Sequence, residues 1–107
     1  MNSNKPSNIH TQAEVAVLFL EPQIRELFAE LLAARGLKVS ELASPSEFSG
    51  ETKIITEPIY FPLINTNSKE QCLVVGNSDA MGKIQALCLA RPLTEEKIEN
   101  ALKAFLG

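Results

Sequence analysis

One stretch near the start of the chain, Val15–Val39, constrains the fold more than any other. It opens with the apolar run Val15–Leu20, whose length and β-branched valines are typical of a buried strand. A helical pattern begins after Glu21, because Pro22 fits the first position of a helix, where no backbone donor is needed. Gly36 suits the left-handed residue just beyond the end of that helix.

The helix in this stretch is amphipathic, and a second strand follows it closely. Its apolar residues recur at the spacing of one helical face: Ile24, Leu27, Phe28, Leu31 and Leu32. Leu37-Lys38-Val39 begins the next strand, so the unit is strand–helix–strand with short connections. Two parallel strands joined in this way are covered by their helix, and the connection is right-handed. The sequence therefore predicts an α/β fold with a largely parallel sheet.

The C-terminal residues predict a second amphipathic helix. Thr94 is a favourable N-cap, and Glu95 and Glu96 lie in the first turn, where the helix dipole favours negative charge. The apolar side chains again share one face: Ile98, Ala101, Leu102, Phe105 and Leu106. We expect this helix to pack on the same core as the first.

The middle of the chain predicts further short strands with little room for helices between them. Val39–Leu42 completes the second strand, and the further predicted strands are Lys53–Glu57, Cys72–Gly76 and Ala86–Ala90. Ala43–Thr52 has space for at most one short helical turn.

Two of the remaining connections raise specific questions. Pro58 and Pro62 oppose a helix around Ile59–Ile64, so we expect an extended segment there. Asn77–Gln85 is shorter than the dozen or so residues that a parallel crossover usually takes. Either a single helical turn makes this crossing, or the last two strands form an antiparallel hairpin.

Composition and charge exclude several classes of protein. Apolar residues make up 45% of the chain and charged residues 21%, which is typical of a globular domain. The net charge is −3 and the basic residues are scattered, so we expect no nucleic-acid partner. No apolar stretch is long enough to span a membrane, and we expect a cytoplasmic location. We interpret residues 1–13 as a flexible leader and 14–107 as one domain.

Few residues could support metal, redox or nucleophilic chemistry. Cys72 and Cys88 lack CxxC spacing and a neighbouring histidine, so we interpret both as small buried apolar side chains. His10 is the only histidine and lies in the leader, which excludes a histidine-dependent triad on the domain. We therefore expect no metal, no cofactor and no enzymatic activity.

Two segments resemble the receiver domains of two-component signalling. EPQIRELFAELLAARGLKV is similar to their first helix and second strand, and ALCLARPLTEEKIENALKAFL to their last strand, Lys-Pro turn and last helix. The resemblance implies a flavodoxin-like open sheet, mostly parallel, with strand order 2-1-3-4-5. Because the later connections are short, it implies that the middle helices are shortened or missing. A similar abbreviated module occurs in some bacterial hybrid sensor histidine kinases, between the kinase core and the true receiver.

The resemblance also implies where the phosphorylation site of a receiver would fall. Receivers transfer a phosphoryl group onto an aspartate, using Mg²⁺ held by paired carboxylates together with a hydroxyl and a lysine. The two metal-binding acids correspond to Phe19 and Leu20, just before the retained Glu21, and neither side chain can ligate a hard cation. The resemblance therefore implies a domain without a metal site.

The other phosphorylation-site positions are also altered. The acceptor falls at Thr56-Glu57, with Glu57 the better match, and the hydroxyl position falls at Gly76 or Asn77. The lysine position keeps its charge as Arg91. We expect that such a degenerate site is not phosphorylated.

Each of these positions also has a simpler explanation. Phe19 and Leu20 are expected as core residues at the end of a strand. Glu57 is expected as a solvated acid, and Arg91 either as a surface side chain beside a turn or as an anion-binding group.

The predicted function is that of a non-catalytic pseudo-receiver that acts through protein–protein contact in two-component or phosphorelay signalling. Its partner would be another domain or component of the signalling system. The candidate contact surface is an apolar segment: Ile59, Tyr60, Phe61, Leu63 and Ile64. These side chains either cover the sheet in place of a helix or remain exposed as a docking site.

An alternative function on the same fold is the sensing of a small anionic ligand, such as a nucleotide second messenger. Arg91 would bind the anion, and Tyr60 or Phe61 would provide a stacking surface. The glycines are isolated, so the sequence contains no glycine-rich phosphate loop.

Overall fold

The computed structural model describes residues 14–50, 52–64, 71–82 and 84–107. These residues form five strands and two α-helices. The strands are β1 (Glu14–Leu18), β2 (Lys38–Glu41), β3 (Lys53–Thr56), β4 (Cys72–Gly76) and β5 (Leu87–Ala90), and the helices are α1 (Pro22–Ala34) and α2 (Glu95–Leu106).

All strands belong to one parallel sheet with the order β2-β1-β3-β4-β5. Val17 on β1, for example, pairs with Glu41 on one side and Ile55 on the other. The α/β fold and the strand order predicted from the resemblance are therefore confirmed.

Helix α1 begins and ends as the sequence predicts. Pro22 occupies its first turn, and Gly36 adopts the left-handed conformation with φ 80°. The N–H of Gly36 donates to the carbonyl of Ala33 at 2.9 Å, and that of Leu37 to the carbonyl of Leu32 at 3.2 Å. This is the Schellman pattern, which satisfies the last carbonyls of the helix and turns the chain towards β2.

Helix α2 is fixed at both ends. The hydroxyl of Thr94 accepts a hydrogen bond from the N–H of Lys97 at 3.2 Å, which confirms the predicted N-cap. At the other end, Nζ of Lys53 donates to the carbonyl of Phe105 at 2.8 Å and lies 5.1 Å from the centre of its ring. Arg35 and Glu99 form an ion pair of 2.5 Å that links the two helices.

The two faces of the sheet are covered differently. We call the face under α1 and α2 the helical face; its core includes Phe28, Leu32, Leu102 and Phe105 from the helices. We call the opposite face the turn face, because three 3₁₀ turns lie on the connections that follow β2, β3 and β4. These turns are Pro45–Glu47, Phe61–Leu63 and Ser78–Met81. In the part of the chain that the structure describes, no α-helix covers the turn face.

The short connections confirm one expectation, decide between two alternatives for the last crossing, and correct another expectation. The residues 43–50 and 52 contain one helical turn, and a single turn also carries the chain from β4 to a parallel β5. The extended segment expected at Ile59–Ile64 is wrong. A 3₁₀ turn forms there with Pro62 in its first turn, where a missing N–H costs nothing.

The two cysteines differ, and the prediction holds for only one of them. Cys72 is buried, whereas Cys88 is exposed. The expectation for Cys88 is wrong because β5 is an edge strand, and no helix of the described chain lies over it on the turn face. Burial, together with a smaller effect of the neighbouring Cys88, raises the pKa of the Cys72 thiol to about 12.

Two further expectations concern the ends of the domain and the membrane. The predicted leader, residues 1–13, lies outside the described residues. Among the helices that the structure describes, none is long and apolar enough to cross a membrane.

Candidate functional site

The candidate site lies at the carboxyl edge of the sheet. In open parallel sheets, ligands bind beyond the carboxyl ends of the strands, at the point where the strand order reverses. Here that point lies between β1 and β3, because β2 lies on one side of β1 and the later strands lie on the other side. The structure brings the predicted site positions together at this edge: Phe19, Leu20, Glu21, Glu57, Gly76, Asn77 and Arg91.

The end of β1 carries two apolar side chains in different environments. Phe19 is only 4% exposed, and its ring stacks on Phe28 with centres 5.7 Å apart. Leu20 is 66% exposed, so its interpretation as a core residue is wrong. Because β1 ends at Leu18, Leu20 already belongs to the loop above the sheet. Neither side chain offers an oxygen ligand, and the described residues contain no cluster of three potential metal ligands.

Glu57 is more than a solvated acid. Its carboxylate accepts a hydrogen bond from the backbone N–H of Leu20 at 2.5 Å. Its backbone carbonyl accepts from the N–H groups of Tyr60 and Phe61, both at 3.1 Å. The side chain therefore bridges the loops after β1 and β3, a role that the sequence gives no sign of.

At Gly76, one of the two predicted hydroxyl positions, a proline ring fills the space for a side chain. A Cβ placed on Gly76 would lie 2.8 Å from Cγ and Cδ of Pro58, a distance too short for carbon atoms. The Pro58 ring thus occupies the space that a side chain at Gly76 would need. The parallel register explains the contact: Thr56 pairs with Val74, so Pro58 and Gly76 lie level two residues further on. The sequence predicts both strands but not their register, so it does not reveal this contact.

The hydroxyl group of Thr56, at the same edge of the sheet, is already hydrogen-bonded. Thr56 is fully buried, and its Oγ1 donates to the carbonyl of Leu18 at 2.7 Å. This bond joins β1 and β3 at their ends, so the hydroxyl is not directed towards a ligand.

Arg91 has a partner at the same edge. Its guanidinium lies 3.6 Å from the carboxylate of Glu21, and both side chains are substantially exposed. An exposed pair of this kind contributes little to stability because solvent screens it. The backbone N–H of Arg91 donates to the carbonyl of Gly76 at 2.9 Å, and the Arg91–Pro92 peptide bond is cis.

Two shallow cavities meet at Arg91 and Asn77. One has a volume of about 360 Å³ and lies between Glu57, Ile59, Ala80 and Arg91. The other has a volume of about 550 Å³ and extends towards Ile24 and Leu93. The first cavity is lined by both Glu57 and Arg91, so it carries negative and positive charge.

The apolar segment after β3 divides between the two predicted roles. Tyr60, Phe61 and Ile64 pack against the core of the turn face. Ile59 and Leu63 point outward and are 62% and 64% exposed. The segment therefore covers the sheet with one set of side chains and presents a second set to solvent.

Comparisons with known proteins support the fold. No protein-family model matches the chain, and no curated protein matches it. Among solved structures, the domain is similar to the chemotaxis response regulator CheY4 of Vibrio cholerae. The TM-score is 0.64 at 17% sequence identity, and the match covers 88% of this chain and 98% of that one. The chain therefore has a receiver-like fold.

Proposed function

We propose that this domain is a non-catalytic receiver-like module that acts through protein–protein contact in two-component signalling. The receiver-like fold supports the signalling class. One observation carries the loss of catalysis: the positions of the metal-binding acids hold Phe19, which is buried in a ring stack, and Leu20, which has no ligating atom.

The chemistry of phosphoryl transfer explains why this observation matters. A phosphoryl group approaching a carboxylate brings negative charge, which Mg²⁺ normally neutralises. Here the nearest acid, Glu57, already accepts a hydrogen bond from Leu20. The space beside Gly76 is filled by Pro58, so no hydroxyl can be placed there. Arg91 would face the phosphoryl oxygens, and its guanidinium is already paired with Glu21.

The contact surface of the proposal consists of the exposed apolar side chains at this edge. Ile59 lines the same cavity as Glu57, and the Glu57 carboxylate is bonded to the loop that carries Leu20. Leu63 follows in the 3₁₀ turn Phe61–Leu63. Apolar side chains held in solvent by a folded loop are typical of a surface that another protein covers. The partner is another domain or component of a signalling system.

An NMR titration with Mg²⁺ and beryllofluoride tests the loss of catalysis. We expect no saturable shift of the amide signals of Glu57, Gly76 or Arg91, whereas an active receiver titrated in parallel should respond. Saturable shifts at these three residues would show that the site is active.

A pair of variants tests the contact role. Glu57→Gln keeps an oxygen for the N–H of Leu20 but cannot act as an anionic acceptor, so binding to partners should be unchanged. Ile59→Glu places a charge in the apolar surface and should abolish binding. The readout is a two-hybrid panel of sensor kinases and response regulators from the source organism. Loss of binding with Glu57→Gln but not with Ile59→Glu would reverse the proposal.

The geometry gives less support to an anionic ligand. Arg91 is paired with the carboxylate of Glu21, Glu57 lines the same cavity as Arg91, and the rings of Tyr60 and Phe61 pack against the core of the turn face. Thermal-shift measurements with a set of nucleotides test this alternative, because a bound ligand stabilises the folded state. We expect no stabilisation by any of them.

A further inference from the structure

The two edges of the sheet differ in charge. The β2 edge carries Lys38 and Glu41, and Glu41 lies 3.5 Å from Arg25 in an ion pair. The β5 edge, Leu87–Ala90 with the sequence LCLA, carries no charged side chain. Charged side chains are a common protection of an open edge against pairing with another strand. The β5 edge lacks this protection.

The hydrogen-bond pattern fixes which groups of β5 face outward. The N–H of Arg91 donates to the carbonyl of Gly76 on β4, and Gly76 pairs with Ala90. In a parallel ladder alternate residues bond to the same neighbour, so Leu87 and Leu89 bond towards β4 as Arg91 does. The N–H and C=O groups of Cys88 and Ala90 therefore point away from the sheet. Within the described part of the chain, no hydrogen bond to the N–H of either residue is found.

We propose that β5 pairs with β5 of a second copy of this chain, antiparallel, about a two-fold axis at Cys88. The two sheets would then form one continuous sheet. This proposal uses a different surface from the contact role proposed above and does not depend on it.

In this arrangement, the hydrogen-bonding groups of β5 match those of β5 in the second copy. With Cys88 opposite Cys88 of the second copy, Ala86 lies opposite Ala90, and the outward groups of both strands can bond. Arg91 lies opposite Gln85, so no like charges meet. A register centred on Leu89 would instead place Ala86 opposite Pro92, which has no N–H to donate.

The side chains around β5 leave room for a second strand. Cys88 is exposed on the turn face, between the small, partly buried Ala86 and Ala90. Its thiol donates to the carbonyl of Ala86, which directly precedes β5, at 3.4 Å. Within the described strand Leu87–Ala90, no charged side chain opposes an approaching copy.

The size of the contact sets the expected strength. A stable interface buries about 800 Å² on each partner, and a strand pair of this length buries less. We therefore expect a weak dimer with a dissociation constant of roughly 10–100 µM.

Sedimentation equilibrium of the full chain tests the proposal, over protein concentrations from about 10 µM to about 1 mM. The mass should rise from that of one chain towards that of two. Cys88→Ser keeps the outward N–H and should dimerise like the unaltered chain. Cys88→Pro removes that N–H without touching the bonds to β4, so the dissociation constant should rise at least about tenfold.

Two further variants control for folding and for the choice of edge. Glu41→Pro makes the same change at an outward position of the β2 edge and should leave dimerisation intact. Cys88→Lys keeps the N–H but places two ammonium groups opposite each other, so its dimer should weaken and recover partly at high salt. If Cys88→Pro fails to fold, Cys88→Lys still tests whether dimerisation depends on the β5 edge.

Thiol cross-linking tests the register. In a Cys72→Ser background, a short bis-maleimide should join two chains through Cys88. A chain that stays monomeric at about 1 mM, or a folded Cys88→Pro that dimerises as well as Cys88→Ser, would overturn the proposal.

Discussion

The two faces of the sheet in this domain are shielded from solvent in different ways. The helical face is covered by two capped helices, whose buried Phe28, Leu32, Leu102 and Phe105 meet the strands directly. The turn face is covered by single side chains from irregular connections, among them Phe48, Tyr60, Phe61 and Met81. Both faces bury their strand residues, as Val15, Val17 and Ile55 show on one side and Ile54 and Val74 on the other. A parallel sheet therefore needs cover on both faces, but not helices on both.

The largest difference between the faces should appear on removing one aromatic side chain from each. Phe28→Ala deletes a fully buried ring that stacks on Phe19, and we expect a loss of about 3–5 kcal/mol in the free energy of unfolding. Phe48→Ala on the turn face should cost about 2 kcal/mol, because the short loop around it can collapse. Urea denaturation measures both. Equal losses would contradict the comparison.

The pH dependence of stability tests how completely water is excluded from the core of the turn face. Burial raises the pKa of Cys72 to about 12, whereas the unfolded thiol titrates near 9. The folded state therefore holds this proton more tightly, and its stabilising effect is present below pH 9 and is lost as the pH rises from about 9 to about 12. At pH 10.5 the loss should be about 2 kcal/mol relative to pH 8. Cys72→Ala should show a pH profile flatter by that amount in urea denaturation.

Substitution of Gly76 tests the contact between the turn-face connection and β4. Gly76→Ala should destabilise the domain by about 1–3 kcal/mol, because its Cβ would meet the Pro58 ring at 2.8 Å. Adding Pro58→Ala should recover part of the loss in a double-mutant cycle. Gly82→Ala is the matched control: its Cβ would meet nothing within 4 Å, and no loss is expected. An additive cycle would show that Pro58 is not the obstacle.

The smallest expected difference in stability between the two faces concerns the residues that precede α2 and the first 3₁₀ turn. Thr94→Ala removes the hydroxyl that accepts the N–H of Lys97, at a cost of about 1 kcal/mol. Ser44 precedes the first 3₁₀ turn but makes no capping bond, so Ser44→Ala should change stability by less than about 0.5 kcal/mol. Thermal unfolding monitored by circular dichroism can compare the two. A loss at Ser44 equal to that at Thr94 would show that the turns are capped like helices.

The same contrast describes what the sequence could predict. The helical face follows from periodic signals: the stripes of α1 and α2, Pro22, Gly36 and Thr94 all act within a few residues of each other. The strands and their order follow from the apolar runs and the receiver resemblance. These features are local, or are fixed by the handedness and layering of α/β folds.

The turn face and the candidate site depend on contacts between residues distant in sequence. Pro62 predicts an extended segment, but the carbonyl of Glu57 accepts hydrogen bonds that start a turn there. The sequence does not show these bonds. The exposure of Leu20 and of Cys88 follows from where a strand stops and which strand is an edge. The bond between Glu57 and Leu20 joins loops that only the sheet brings together. None of these contacts has a periodic signature.

The contact between Lys53 and Phe105 has a mechanical consequence. Lys53 is the first residue of β3, the middle strand, and its ammonium group holds the last turn of α2 through the carbonyl and the ring of Phe105. The N–H of Gly107 donates to the carbonyl of Lys103 in the same turn. A force applied at Gly107 would therefore not simply unwind the helix from its end. Part of the load would pass through one side chain into the centre of the sheet, the region that is most resistant to being pulled apart.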